Sequence, residues 1–185
     1  MSMQNEVRRL NLWWVWNYER EQQRLDRVSA EGLHLTRPGK FWSSYARDDS
    51  RRYVYRLDYQ TGLRTAAARR DYLNLYQDAG WTHIGSWMNW RYFRREWSPD
   101  GVPEIYTDRE SLKSQYNRIR TVLGVVFLAE LPILSVNVVN MATAPRLHVS
   151  PASAAVAVGL LLAAIGLLGY GFAAMTRKIR RLDGR

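Results

Sequence analysis

Few side chains in this chain are suited to chemistry, and their spacing argues against most reaction classes. There is no cysteine, which removes disulfide scaffolds, thiol catalysis and Cys-based zinc sites. The three histidines, His34, His83 and His148, are scattered. Two of them without a third ligand make a poor metal site, so they are expected to serve as ordinary strand or turn residues. Asp48-Asp49 is the one adjacent carboxylate pair. It lies in a polar turn, where two acids are expected to be solvated rather than to work as an acid/base pair. No Gly-rich phosphate loop, HExxH or GxSxG pattern occurs. The sequence therefore predicts no catalytic residue, no metal and no cofactor, and a protein that is not an enzyme. The remaining chemically unusual residue is Glu130, which stands alone in a long apolar run.

The elements that must position these residues fall into two chemically distinct parts. The chain has 185 residues, Lys+Arg 27 against Asp+Glu 17, and a mean hydropathy of −0.39. That average conceals a polar first part holding all eight Trp and an apolar second part holding none. Thr121–Asn140 has the single charge Glu130, and Ala152–Met175 has none. About 20 helical residues cross a hydrocarbon core of roughly 30 Å, so both segments are predicted to span a membrane. Arg118 and Arg120 precede the first span, and Arg177, Lys178, Arg180 and Arg181 follow the second, whereas the connecting loop has only Arg146. This asymmetry predicts a cell-membrane protein with two spans and both termini cytoplasmic. It also explains the net positive charge without nucleic acid, since basic flanks lie beside anionic lipid. The N-terminus lacks the pattern of a signal peptide.

Within the first part, Leu10–Trp16 reads as an aromatic strand and Asn17 as the cap of a helix over Tyr18–Glu31 that Gly32 ends. Leu33–Arg37 and Phe41–Ala46 read as β structure interrupted at Pro38-Gly39. Arg52–Gln60 alternates, with Tyr53, Tyr55, Leu57 and Tyr59 on one face. A helix over Ala66–Ala79 ends at Gly80, and Trp81–Ser86 with Met88–Arg95 forms a strand or bent hairpin. The count gives an α+β, ferredoxin-like βαββαβ domain over residues 1–106, one antiparallel sheet with both helices on one face. Thr107 and Glu110 form a capping box that opens a juxtamembrane helix over 107–120. The helix is expected to run directly into the first span at 121–141. The second span is placed at 152–176 and a basic tail at 177–185.

Glu-Gly-Leu-His-Leu at 31–35, Tyr53–Tyr59, Asp78-Ala-Gly-Trp81, Tyr92-Phe-Arg94 and Glu104-Ile-Tyr-Thr-Asp108, in that order, resemble a bacterial membrane-protein family known as domain of unknown function 2812. The resemblance covers roughly Leu10–Lys113. It implies C-terminal membrane helices and, from the regulators its genes often neighbour, a part in envelope or stress-response regulation. It supplies no catalytic residues.

Two sets of residues are candidates for contact. Inside the membrane, Glu130 beside Pro132 is a costly acid that calls for a polar partner, and Ala155, Gly159 and Ala163 recur at the spacing of a close-packing helix face. In the soluble domain, alternation places some aromatics on a helix-free sheet face, for which Trp13, Trp87, Trp90 and Tyr92 are the candidates. Arg51-Arg-Tyr-Val-Tyr55 lacks the Gly-containing signature of an RNA-recognition domain, so no nucleic acid is expected. The expected partners are the lipid bilayer and either another protein or a second copy. The leading function is a regulatory or adaptor protein; the alternative is a small-molecule or lipid-binding module using the open aromatic face.

Overall fold

A computed structural model describes residues 6–101, 104–105, 109–143 and 151–184, with the side chains of 141–143, 151 and 154 left aside. They fall into two compact units, Met1–Gln115 and Tyr116–Arg185.

The first unit is mixed α+β. Its elements are β1 (Glu6–Leu10), α1 (Tyr18–Ala30), β2 (Leu33–Arg37), β3 (Trp42–Arg47), β4 (Tyr53–Tyr59), α2 (Ala66–Asp78), β5 (Thr82–Trp87) and β6 (Trp90–Glu96). The strands form two antiparallel three-stranded sheets, sheet A with order β1-β3-β2 and sheet B with order β4-β6-β5. This corrects the expectation of one βαββαβ sheet. Pro38-Gly39 makes β2 and β3 a hairpin, and Met88-Asn89 does the same for β5 and β6. Among the described residues six strands result, and they divide between two sheets.

The first strand also differs from expectation. The apolar run Leu10–Trp16 is not a strand; Glu6–Leu10 is, and Val15–Asn17 forms a 3-10 turn leading into α1. An edge strand exposed along its whole length needs no apolar alternation, so its charged sequence EVRRL hid it. The helices sit where the sequence put them. α1 ends before Gly32 (φ 77°) and α2 before Gly80 (φ 80°), both in the left-handed region that glycine enters without a Cβ clash.

The two helices do not share one sheet face. On β4, Val54, Arg56 and Asp58 point one way and Tyr55, Leu57 and Tyr59 the other, and all seven residues of the strand are buried. α2 covers the first face: Tyr72, Leu73 and Tyr76 pack on the cluster of Val54, Trp81 and Phe93. The Tyr76 ring stacks on Phe93 at 4.2 Å. The second face joins the core containing Leu25, Leu35, Tyr45 and Tyr92, with Tyr18 and Tyr59 both against Trp90 at 5.1 and 5.0 Å.

The second unit contains most of α3 (Arg109–Thr143) and all of α4 (Pro151–Asp183). Both helices are long and apolar enough to cross a membrane. α3 passes through Pro132 without ending. Thr107, Arg146 and the connection around it lie outside the described residues, so the capping box and the loop do too.

Candidate functional site

The outer edge of β4 is closed by side chains rather than by a strand. Four alternate backbone N–H groups donate to four side-chain oxygens. Tyr53 N donates to Ser29 Oγ (2.7 Å), Tyr55 N to Asp26 Oδ1 (2.6 Å), Leu57 N to Gln22 Oε1 (2.9 Å) and Tyr59 N to Gln115 Oε1 (3.3 Å). The match is geometric. Residues 22 to 29 advance about 10.5 Å along a helix, and residues 57 to 53 advance about 13 Å along a strand. A polar stripe of α1 at spacings of four and three can therefore follow every second residue of the strand running the other way. Ser29 Oγ also meets His34 Nδ1 at 3.0 Å, and the other ring nitrogen of His34 meets the Asp48 carbonyl at 2.7 Å.

Charge is carried into this seam with partners. Arg56 is buried and reaches Asp26 (3.1 Å), Glu104 (3.0 Å) and the Tyr55 carbonyl (2.8 Å). Burial pushes the Asp26 carboxyl up, against the opposing pull of the Tyr55 N–H and of Arg56. A second network joins buried Glu21 to Arg24 at 2.7 Å, with Arg24 also donating to the Tyr45 hydroxyl (3.0 Å) and Asn11 Oδ1 (3.3 Å). Burial works against the Arg24 charge, but the hydrogen bond and charge of Glu21 outweigh it and hold the guanidinium above the usual range. Asp58, fully buried, accepts from Gln60 Nε2 (2.7 Å) and from the Tyr72 and Tyr76 hydroxyls (2.6 and 3.0 Å). These networks tie helix to sheet; every charged member named has a local structural partner.

Among the described residues, those with catalytic or ligating potential do not assemble; His148 lies outside the described residues. His34 belongs to the α1–β2 network, while His83 meets Ser86 Oγ at 3.1 Å. Asp48 sits in the turn, bonded to Ser50, and Asp49 pairs with Arg47. Among the described residues, no three His, Asp or Glu side chains are placed to hold a metal. A half-open depression of about 250 Å³ lies on sheet A, lined by Glu6, Thr36, Arg37 and Ala46.

The aromatic face expected from the sequence is largely interior. Trp90 and Tyr92 are each 1% exposed, and Trp13 and Trp87 are half-buried, with Trp13 edge-on to Trp87 at 6.2 Å and to Trp90 at 5.2 Å. Sheet B has α2 on one face and the α1 core on the other, so it keeps no open face for these rings. Exposed apolar side chains lie at Leu10, Leu12, Trp14, Phe41 and Trp42, and singly at Leu75, Met88 and Trp97. The apolar run before α1 and the Phe41-Trp42 pair after the Pro38-Gly39 turn are the signals for the first five in the residues.

In the second unit, α3 and α4 pack through large-on-small contacts. A Cβ on Gly124 would stand 3.2 Å from the Phe172 ring, and one on Gly169 would stand 3.6 Å from Phe127. Lys178 Nζ lies 5.4 Å from the centre of the Tyr116 ring, so the basic start of α3 and the basic end of α4 are at the same end of the hairpin. Arg118 and Arg120 are half-buried there, Arg177 lies 5.8 Å over Tyr170, and Arg180 and Arg181 are exposed. Ala155, Gly159 and Ala163 are not part of the packed seam. All three are exposed, and a Cβ on Gly159 would meet nothing within 4 Å. Glu130 is half-buried and Pro132 exposed. Ser135 Oγ donates to the Leu131 carbonyl (2.9 Å) and Asn137 Nδ2 to the Ile133 carbonyl (2.8 Å). These polar side chains thus bond to carbonyls of their own helix.

No curated protein and no solved structure matches the chain. A family model does, over residues 17–128, from the start of α1 into the apolar half of α3, and its description is a protein of unknown function. That stretch is more than half of the sequence and holds the β4 seam, both helices of the first unit and Glu104, so the chain belongs to the family of unknown function DUF2812.

Proposed function

We propose that this protein is a membrane-anchored, non-enzymatic regulatory adaptor. The hairpin of α3 and α4 is its anchor in the cell membrane, with both termini cytoplasmic, and it acts through protein contacts. The orientation draws support from the basic residues at one end of the hairpin, the pattern expected of a cytoplasmic side. The observation that carries the adaptor reading is the outward small-residue face of α4. Ala155, Gly159 and Ala163 have the spacing of a close-packing helix surface, yet the α3–α4 seam is built at Gly124 and Gly169 instead. Glu130, an acid in an apolar helix, adds a group that gains from a polar partner in the bilayer.

The absence of cysteine makes the test direct. Gly159→Cys and Gly169→Cys, each introduced alone into the full chain in native membranes, place one thiol on the open face and one on the seam. A bifunctional thiol/photo-crosslinker is expected to join Gly159→Cys to one dominant heterologous protein and to leave Gly169→Cys without that product. Equal products at both sites, or none at Gly159→Cys, would sink the reading. A homodimer alone would make the face an oligomer contact and remove the adaptor role.

A further inference from the structure

We infer that the end of sheet A around Leu10, Leu12, Trp14, Phe41 and Trp42 is a docking surface for an anionic phospholipid bilayer; the inference rests on reading α3 and α4 as membrane spans.

The five side chains are conspicuous by exposure. Leu12 is 71% exposed, and Leu10, Trp14, Phe41 and Trp42 are 51–54% exposed, although most aromatic rings of this unit are interior. Leu10, Phe41 and Trp42 are held together by the backbone, and Leu12 and Trp14 follow Leu10 closely in the chain. Leu10 and Trp42 are opposite one another in the β1–β3 register, and Asn11 N donates to the Phe41 carbonyl just beyond it. Trp14 stacks on buried Trp16 at 5.2 Å with the rings nearly parallel, which fixes its exposed edge. Leu10, Phe41, Trp42 and the Trp14 ring are therefore in place before anything binds to them.

Charge decides the occupant. Residues 7–17 contain Arg8 and Arg9 and no acid, and residues 33–46 contain Arg37 and Lys40 and no acid; Arg47, at the far end of β3, pairs with Asp49. Lys40 Nζ sits 4.9 Å from the Phe41 ring centre, so a cation accompanies the apolar group directly. Trp with Lys or Arg is the pairing that favours a membrane interface: the rings enter the headgroup level while the cations meet lipid phosphate. A second copy fits less well, because it would bring two acid-free, cationic segments together. Attachment to two spans would tether the first unit to a bilayer, so that a weak contact is populated as an intramolecular one.

All eight Trp precede the apolar helices, so bilayer quenching of Trp reports on the first unit alone. The full chain is reconstituted into vesicles of phosphatidylcholine with either brominated phosphatidylglycerol or brominated phosphatidylcholine. The expected result is quenching by the anionic brominated lipid, restricted to the emission of Trp14 and Trp42, weak with the zwitterionic one, and lost in 1 M salt, where the Debye length falls to about 3 Å. Leu10→Gln/Phe41→Gln and, separately, Arg8→Glu/Lys40→Glu keep every Trp and change only exposed residues; both are expected to abolish the quenching. Quenching that persists in both variants overturns the inference, because another surface then makes the contact. Unquenched Trp in vesicles that carry the protein on flotation overturns it too, and crosslinking through Trp42→Cys then shows whether a second copy or another protein covers the patch. Failure to float with vesicles is a separate outcome, which removes the spanning reading and the docking with it.

Discussion

Sheets A and B have the same plan, three antiparallel strands with one register shift, at Leu35/Arg37 in A and His83/Gly85 in B. They differ at one outer strand. β4 of sheet B is buried at every residue, and its alternate N–H groups are taken by Ser29, Asp26, Gln22 and Gln115. β1 of sheet A is exposed at every residue and runs into the Leu10–Trp42 patch. A sheet edge is inherently ready to bind, and a protein either covers it or charges it. This chain does one on each sheet. The covered edge is where disruption should cost stability, and the charged edge is where it should cost only contacts.

The strongest way to break the comparison is at Arg56. Its side chain is 8% exposed and bonds both Asp26 and Glu104. Arg56→Leu leaves Asp26 partly buried against β4 without its cation. Removing one partner of a buried ion pair costs about 3 kcal/mol or more, because the remaining charge stays desolvated. The exposure of Glu104 (62%) means that the loss comes mainly through Asp26. Urea unfolding of the full chain in detergent, followed by Trp emission, is expected to show the midpoint drop sharply. An unfolding free energy unchanged to within about 0.5 kcal/mol would show that the seam does not hold the unit together.

The second test uses alkali. Burial pushes the Tyr55 hydroxyl up to about 12, against the opposing effect of the Leu35 N–H bond, and burial also raises Tyr45 and Tyr92. The folded state therefore keeps these protons when the unfolded chain, with tyrosine near its usual value of about 10, has begun to release them. Stability contributed by the neutral hydroxyls is present below pH 10 and is lost as pH rises from 10 toward 12. For Tyr55 alone the loss is about 2–3 kcal/mol by pH 12. Tyrosinate absorbance and Trp emission are expected to change together in one cooperative step above pH 10. Gradual titration of all eleven tyrosines near pH 10 without unfolding would contradict the packing around the seam.

Much of this contrast was legible in the residues, but unevenly. The glycines that end α1 and α2, the extent of both helices, the β4 alternation and the two long apolar helices follow from local rules that tertiary contacts leave in force. The seam does not. Gln22, Asp26 and Ser29 have the spacing of a solvated polar stripe, and nothing in the sequence distinguishes an oxygen facing water from one facing a strand's N–H. The same ambiguity hid the burial of Arg56 and Asp58. The expectation of Trp90 and Tyr92 at the surface follows from one sheet with both helices on one face, which leaves the other face open, whereas the strands divide into two sheets and these rings are interior. The candidate site was half visible. The acid in the apolar helix and the small-residue face could be named from sequence, but that this face lies off the α3–α4 seam required the contacts of Gly124 and Gly169.

The smallest expected effect sharpens the comparison from the other side. Phe41→Gln and Trp42→Gln remove half-exposed apolar groups from sheet A. Surface substitutions that break no cap, pair or buried contact usually change stability by less than about 0.5 kcal/mol. Trp42 also loses its cross-strand neighbour Leu10, a pair worth about 0.2–1 kcal/mol. Glutamine makes the edge less apolar and keeps the chain's charge, so the unfolding midpoint of each variant in detergent is expected to stay near that of the parent. A drop of 2 kcal/mol or more for either variant would mean that these rings support the fold. Sheet A would then be sealed like sheet B, with its exposed rings acting as the cover, and the distinction between a structural edge and a contact edge would be lost.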